Sequence, residues 1–362
     1  MPVGVFRARR LTVLSVSGLL LATALSVHSP AHHGAAAAEA GEPAASQPHS
    51  YNLLIAPRLQ WNANYGYCGE TSLISAGMYF GQYTSQWTAR NLASPGIPQT
   101  EQDSQLLLGI NDLAAASSMK LDAEAFPSAQ QTSTPQFLTW VTSMVLRDRP
   151  VIVGLLLNMR RSDGQLPGDA EYDHIVPILG ITTRTEQSAN NVAYRPTDTV
   201  TFSDNSGASA TGIFTASFRG IQRSRTAANR ATAPLYSLLN RPMNYGIAVS
   251  GVSDPTHVTI PIRLTSSSDG EGVQDQRWLH TPPPAQPLTL TATVTIPDPS
   301  LAYNVYLYDD FTKVPISNFN ASAGNAIQQW TIPVGSSSTW SQTISAMSDQ
   351  TRVFRAVPTT AP

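Results

Sequence analysis

The stretch Leu59-Gln60-Trp61-Asn62-Ala63-Asn64-Tyr65-Gly66-Tyr67-Cys68-Gly69-Glu70-Thr71-Ser72 contains the only cysteine of the chain. A thiol becomes a nucleophile when a base can take its proton and its surroundings favour the thiolate. The chain has 7 histidines. His28, His32, His33 and His49 fall in an N-terminal leader, and His257 and His280 in a C-terminal region of short alternating runs. His174 remains to serve Cys68, at the entrance to the apolar run Ile175-Val176-Pro177-Ile178-Leu179-Gly180-Ile181. A third group has to orient that ring and fix its tautomer. Asp204 follows the run Thr199-Val200-Thr201-Phe202-Ser203 and is the first choice; Asn205 is the alternative, because side chains alternate along a strand and only one of the two points inward. Asp173 is disfavoured as the histidine's immediate neighbour. The bland alternatives are a hydrogen-bonded structural histidine and an Asp-Asn-Ser-Gly turn. Gln60 lies eight positions before Cys68. Its side-chain amide and the Cys68 backbone N–H make the donor pair that a developing oxyanion needs.

The surrounding sequence must position these groups. Leu73, Ile74, Gly77 and Met78 recur at helical spacing, so Cys68 should open a helix, where free N–H groups and the positive end of the dipole stabilise a thiolate. Further helices are expected from Ser85 to Ala93, from about Thr100 with Leu106, Leu107, Leu108 and Leu113 on its buried side, and after a Thr134 N-cap followed by Pro135. Beyond Pro150 the texture changes. The runs 151–157, 175–181 and 199–203 have the composition of buried strands, Thr183 to Thr197 suggests a hairpin excursion, and 245–249 a last strand. Helices first and strands second predict an α+β arrangement with a cleft between a helical layer and an antiparallel sheet.

Gln60, the Tyr67-Cys68-Gly69 step, the Asp173-His174-Ile175-Val176 strand entrance and Asp204 after a third strand together resemble the papain-like cysteine peptidases. Within them the chain is most similar to the C39-like peptidase branch. The resemblance covers roughly residues 51 to 250. It implies Cys68 as nucleophile, His174 as general base and acid, Asp204 as orienter and Gln60 as oxyanion donor, with a peptide or protein substrate and no cofactor. The chain departs from the pattern at Glu70-Thr71, where the family commonly has a small residue or proline. A carboxylate there would stabilise the helix start, repel an acidic substrate or disfavour the thiolate. The family's exporter-fused members read double-glycine leaders; no exporter domain is present, so that substrate is not carried over.

Arg7, Arg9 and Arg10 before the apolar run Leu11 to Val27, then small residues such as Ala35 to Ala38, have the shape of a signal peptide. Residues 1–50 are therefore read as signal and flexible leader, and the protein as secreted, with a twin-arginine route left open. The run is short for a span of roughly 20 residues, and no stable membrane insertion after cleavage is expected. A lone thiol in an exported chain is itself unusual, since oxidising compartments favour paired cysteines.

The 362-residue chain is 13% charged with a formal net charge of -2. That balance offers little to phosphates, so nucleic acid is not expected as a partner; Met159-Arg160-Arg161 and Arg219 to Arg230 read as solvated faces. Residues 51–253 are expected to form the peptidase-like domain and 254–362 a small β-sandwich accessory domain, with period-two runs at 258–264, 288–294 and 305–308. Trp278, Trp330 and Trp340 would give the second domain a surface- or carbohydrate-contacting face, or simply fill its core. The acidic loop Asp269 to Asp275 lacks an EF-hand pattern, so no metal is assigned. Asn320-Ala321-Ser322 is a glycosylation acceptor in a eukaryotic source. The functions in view are a secreted thiol hydrolase working through a thioester, a thiol acyltransferase, and a catalytically idle peptide- or surface-binding protein.

Overall fold

The computed structural model describes residues 47–155, 174–205, 212–228, 244–268, 270 and 277–361. In chain order the elements are β1 (His49–Asn52), α1 (Cys68–Tyr79), β2 (Gln82–Tyr83), α2 (Gln86–Ala93), α3 (Asp112–Ser118), β3 (Leu121–Ala125), α4 (Thr134–Val145) and β4 (Val151–Leu155). They continue with β5 (His174–Thr183), β6 (Thr199–Ser203), β7 (Ile213–Ser217), α5 (Phe218–Ala228), β8 (Gly246–Val252), β9 (Ile262–Ser266) and β10 (Pro287–Thr295). The last four are β11 (Tyr303–Tyr308), β12 (Gln328–Ile332), β13 (Thr339–Met347) and β14 (Arg352–Pro358). The result is a mixed α+β fold of helices and antiparallel sheets.

Helix α1 is the hub. The sequence suggests one apolar face, yet all 12 of its residues are buried. Leu73 and Ala76 pack into one apolar cluster, Ile74 and Met78 into a second, and Tyr79 into a third. A helix buried on every side needs no polar face, which is why its periodicity is weak.

On one side of α1 stands a seven-stranded sheet in the order β3-β8-β4-β5-β6-β7, with β1 added on β5. Strand β5 is its long central member: β4 pairs with its first half, from His174 to Ile178, and β1 continues along the same edge from Gly180 to Thr183. Val176, Ile178 and Ile181 bury against α4, whose capping box is formed by Ser133 and Gln136. The N-cap is thus Ser133, one residue before the expected Thr134.

The helix expected near Thr100 does not form. A 3₁₀ turn spans Gln102–Ser104, and α3 starts only at Asp112, leaving Leu113 exposed and Leu106 and Leu108 buried on non-helical backbone. Side chains have taken the backbone groups a helix would use: Glu70 accepts from Leu106 N–H at 3.0 Å, and Asn111 accepts from Leu107 N–H at 2.8 Å and donates to Gln105 O at 3.0 Å. Between Thr183 and Thr197 there is a single isolated bridge, Ser188 to Asn191, rather than a regular hairpin.

The boundary drawn at 253/254 separates two architectures without separating two cores. A three-stranded sheet β13-β10-β9 faces a four-stranded one, β12-β11-β14-β2, whose edge strand β2 comes from the N-terminal part. Ile74, Met78 and Tyr83 share an apolar cluster with Leu290, Val305 and Phe354. Arg355, wholly buried, donates to Gln82 Oε1 at 2.7 Å, and Arg263 stacks on Tyr79 with 3.2 Å from Cζ to the ring centroid. Residues from Ser46 to Pro362 cluster as one compact unit. Trp330 and Trp340 pack half-buried on that shared cluster instead of forming an open face. The Asn320 amide nitrogen donates to carbonyls of Pro358, Thr359 and Ala361, so it is committed to holding the C-terminal tail. The leader drawn at residues 1–50 runs too far: His49 and Ser50 belong to β1 and pair with Thr183 and Thr182, because the free edge of β5 takes them up as a strand. Residues 1–46, residues 156–173, and all but Gly270 of the acidic loop 269–275 lie outside the described residues.

Candidate active site

Cys68 opens α1, with Tyr67 as the N-cap. Its N–H is among the first four of the helix, which have no acceptor one turn back. Gly69 is required at the next position: a Cβ there would lie 2.2 Å from Leu106 O, a clash with backbone that no rotamer relieves. Glycine after the cysteine therefore lets the 105–108 segment cross directly over the start of the helix.

His174 begins β5 and Asp204 follows β6, so two adjacent strands deliver both to the same end of the sheet. His174 Nε2 lies 3.2 Å from Asp204 Oδ1, and both side chains are buried. The pair is joined by distance and charge more than by a well-aimed hydrogen bond, since Nε2 has no directed partner. Burial of the ring favours the neutral imidazole, but hydrogen bonding and charge from Asp204 and Cys68 outweigh it, and the His174 pKa is pushed up to about 9. With Nε2 given to Asp204, Nδ1 is the nitrogen left for the thiol. The structure thus brings Cys68, His174 and Asp204 together.

Asn205, the alternative orienter, is a clamp. Its Nδ2 reaches Cys68 O at 3.2 Å, Ser72 Oγ at 3.1 Å and Ile175 O at 3.1 Å, and its own carbonyl accepts from Gln60 N–H at 2.8 Å. Ser72 Oγ in turn lies 2.7 Å from Cys68 O and 3.1 Å from Ile175 O. One asparagine and one serine therefore tie the backbone of the thiol residue to the residue after the histidine. Two buried side chains bonded to main-chain carbonyls thus fix the spacing of the Cys68 and Ile175 backbones.

Gln60 is held at both ends of its own loop. Gln86 accepts from Trp61 N–H at 2.8 Å and donates to Leu59 O at 2.9 Å. The Gln60 Oε1 accepts at 2.8 Å from the N–H of Tyr67, the residue just before the thiol, which leaves Nε2 as the donor of the carboxamide. Gly66 makes room for this: a Cβ there would press on Oε1 at 3.1 Å.

Glu70 lies in the first turn of α1, as the sequence suggested, but it is not open to a substrate. It is 1% exposed and paired with Arg90, itself 0% exposed, at 2.6 Å from Nε to Oε1. The guanidinium also donates to Asn64 O at 2.8 Å and to Gly66 O, and lies 3.6 Å from the Tyr67 ring centroid. Gln105 donates to Tyr65 O at 2.9 Å. These bonds hold Asn64, Tyr65 and Gly66 at φ of 45°, 66° and 88°. Left-handed non-glycine residues cost energy and persist only where their surroundings over-determine them; here three successive carbonyls are each captured by a buried side chain. The pair sets the entry of the loop into α1. Arg90 carries no recognisable signal in sequence, because its partners lie 20 to 26 positions away with no fixed spacing.

The same loop is fastened to the C-terminal part. Asn64 N–H donates to Arg277 O at 3.2 Å, and the Asn64 side chain exchanges two hydrogen bonds with Leu279, of 2.9 Å and 2.8 Å.

No family model, curated protein or solved structure matches the chain.

What the site can do follows from its own chemistry. Among the described residues no group of three or more His, Cys, Asp or Glu side chains is arranged to hold a metal ion. Arg219 and Arg223 of the basic patch are exposed on α5, while Met159 to Arg161 and Arg230 lie outside the described residues.

Proposed function

We propose that the chain is a thiol hydrolase that cleaves amide bonds in a peptide or protein substrate, on a papain-like scaffold and, given its leader, outside the cytosol. The observation that carries this reading is the buried His174, coupled at once to Asp204 and to the thiol at the start of α1. A structural histidine would need one such partner; a general acid and base for a thiol needs both.

The steps follow. Cys68 Sγ, as thiolate, attacks the amide carbonyl carbon, and the electron pair of the carbonyl moves to oxygen. The Cys68 N–H and Gln60 Nε2 are the donors available to that oxyanion. The protonated His174 passes its proton to the amide nitrogen, the C–N bond breaks, and the amine leaves a thioester on Cys68. Neutral His174 then takes a proton from water, whose oxygen attacks the thioester. Collapse of the second oxyanion breaks the C–S bond, frees the acid and returns the proton to the thiolate–imidazole pair.

Incubation with a peptide library and mass-spectrometric readout of cleaved bonds tests this reading. Wild-type protein should cleave, Cys68→Ala should not, and Gln60→Ala should lose roughly 100- to 1,000-fold in kcat, as expected for removal of one oxyanion donor. Cleavage surviving in Cys68→Ala would overturn the proposal. Products carrying an added amine in place of water would assign the same thioester to acyl transfer.

A further inference from the structure

Gln60 also borders a groove of about 540 Å³ whose other wall comes from the C-terminal part of the chain. Asn62, Asn64 and Tyr65 line one side, and Arg277 and Trp278 the other. Tyr65 and Trp278 meet edge to face, with ring centroids 5.1 Å apart, yet remain 50% and 39% exposed. Large rings left that open beside a candidate catalytic residue offer apolar surface to a ligand. Arg277 is exposed, with its Cζ 5.5 Å from the centre of the Trp278 ring, and is the one charged side chain among the described residues lining the groove. The wall is anchored, because the Asn64 hydrogen bonds to Arg277 O and to Leu279 bracket Trp278 on both sides. A ligand entering here meets one cation, two ring surfaces and the Gln60 amide.

We infer that this groove is a substrate subsite for a carboxylate-bearing peptide segment, with Arg277 taking the carboxylate and Trp278 and Tyr65 covering the adjoining apolar chain. The inference rests on the thiol-hydrolase reading for its connection to a scissile bond, since Gln60 belongs to both. The complementarity is of charge and shape: an exposed guanidinium 5.5 Å from the centre of an indole ring places a planar, bidentate carboxylate donor beside an apolar surface. The carboxylate can come from an acidic side chain or from a peptide C-terminus.

The test is binding, so that it does not depend on turnover. Cys68→Ala protein is titrated by fluorescence anisotropy with three fluorescein-labelled peptides of one apolar, tyrosine-containing sequence. One carries an aspartate and an amidated end, one has no aspartate and a free C-terminal carboxylate, and one is neutral. At least one carboxylate peptide should bind about tenfold or more tightly than the neutral one, as expected for a hydrogen bond to a charged group, and the stronger of the two names the source. Arg277→Gln should remove the preference and Arg277→Glu should reverse it toward a lysine-containing peptide. Trp278→Ala should weaken every peptide that binds the groove, while Trp278→Phe retains most of the affinity. Equal binding of charged and neutral peptides, or a preference that survives Arg277→Gln, overturns the inference. If the preference holds but the library shows no cleavage, the subsite stands and the hydrolase reading falls.

Discussion

Two buried ion pairs flank the start of α1, and they are built to opposite specifications. Arg90 and Glu70 lie in contact at 2.6 Å, with further hydrogen bonds to Asn64 O, Gly66 O and Leu106 N–H. His174 and Asp204 stand at 3.2 Å, with Nε2 lacking a directed partner and unsatisfied polar atoms at the neighbouring Ser203 Oγ and Asn205 Oδ1. A saturated pair locks a conformation, because neither charge can change without loss of all its partners. A buried histidine coupled to both a carboxylate and a thiol can accept and release a proton. The first shapes the loop that leads from Gln60 into Cys68; on the proposed reading, the second does the acid–base work beside the thiol.

Breaking the locked pair should have the largest effect. Arg90→Met leaves Glu70 charged and buried, and Glu70→Gln leaves Arg90 without its counter-charge; each should cost about 3–5 kcal/mol in denaturant unfolding. The double variant Glu70→Leu/Arg90→Met should recover part of that stability, since a buried pair replaced by apolar groups is often close to neutral. It should not recover activity, because the carbonyls of Asn64 and Gly66 would still have lost their donor. A double variant with wild-type activity would break the comparison.

The titratable pair should respond mainly to pH. His174 is raised from its ordinary value near 6.5 to about 9. A group with a raised folded pKa contributes stability that is fully present below its unfolded value and is lost as pH rises through the folded one. Both the stability from this pair and the supply of protonated His174 to the leaving amine should therefore be present near pH 6 and fall away through about pH 9. In Asp204→Asn the alkaline limb of kcat/KM should move down by about one pH unit or more, as loss of an adjacent opposite charge requires. Unfolding in denaturant near pH 6 should change less than in Arg90→Met. An alkaline limb indifferent to Asp204 would sharpen the comparison against a working dyad.

How much of this was legible in sequence depends on what each residue relies on. Cys68, His174 and Asp204 were found by elimination and by strand register, because a residue at the end of one strand is carried to the same edge as the start of its antiparallel neighbour. Asp204 and Asn205 were weighed as alternatives for one inward position, yet both are buried, and strand alternation gave no sign that Asn205 clamps Cys68 to Ile175. The α+β class was legible from the order of helical and continuous apolar runs. The helix near Thr100 was not, since Glu70 and Asn111 intercept its backbone from outside the local pattern. Glu70 was legible as a first-turn carboxylate, but its buried pairing was not, because its partner Arg90 gives no spacing cue. The fastening of Asn64 to Leu279 spans 215 positions, and pairings that distant leave no periodic trace. For the same reason the boundary at 254 looked like a domain edge, although β2 completes a C-terminal sheet.

The central claim, that His174 activates Cys68, is tested most directly by alkylation of native protein with iodoacetamide across pH 5 to 10, beside His174→Gln. The account predicts ready alkylation of Cys68 near pH 6 in the wild type and a large loss of rate at that pH in the variant. Absence of alkylation in the native protein, or an identical pH profile in His174→Gln, would contradict it.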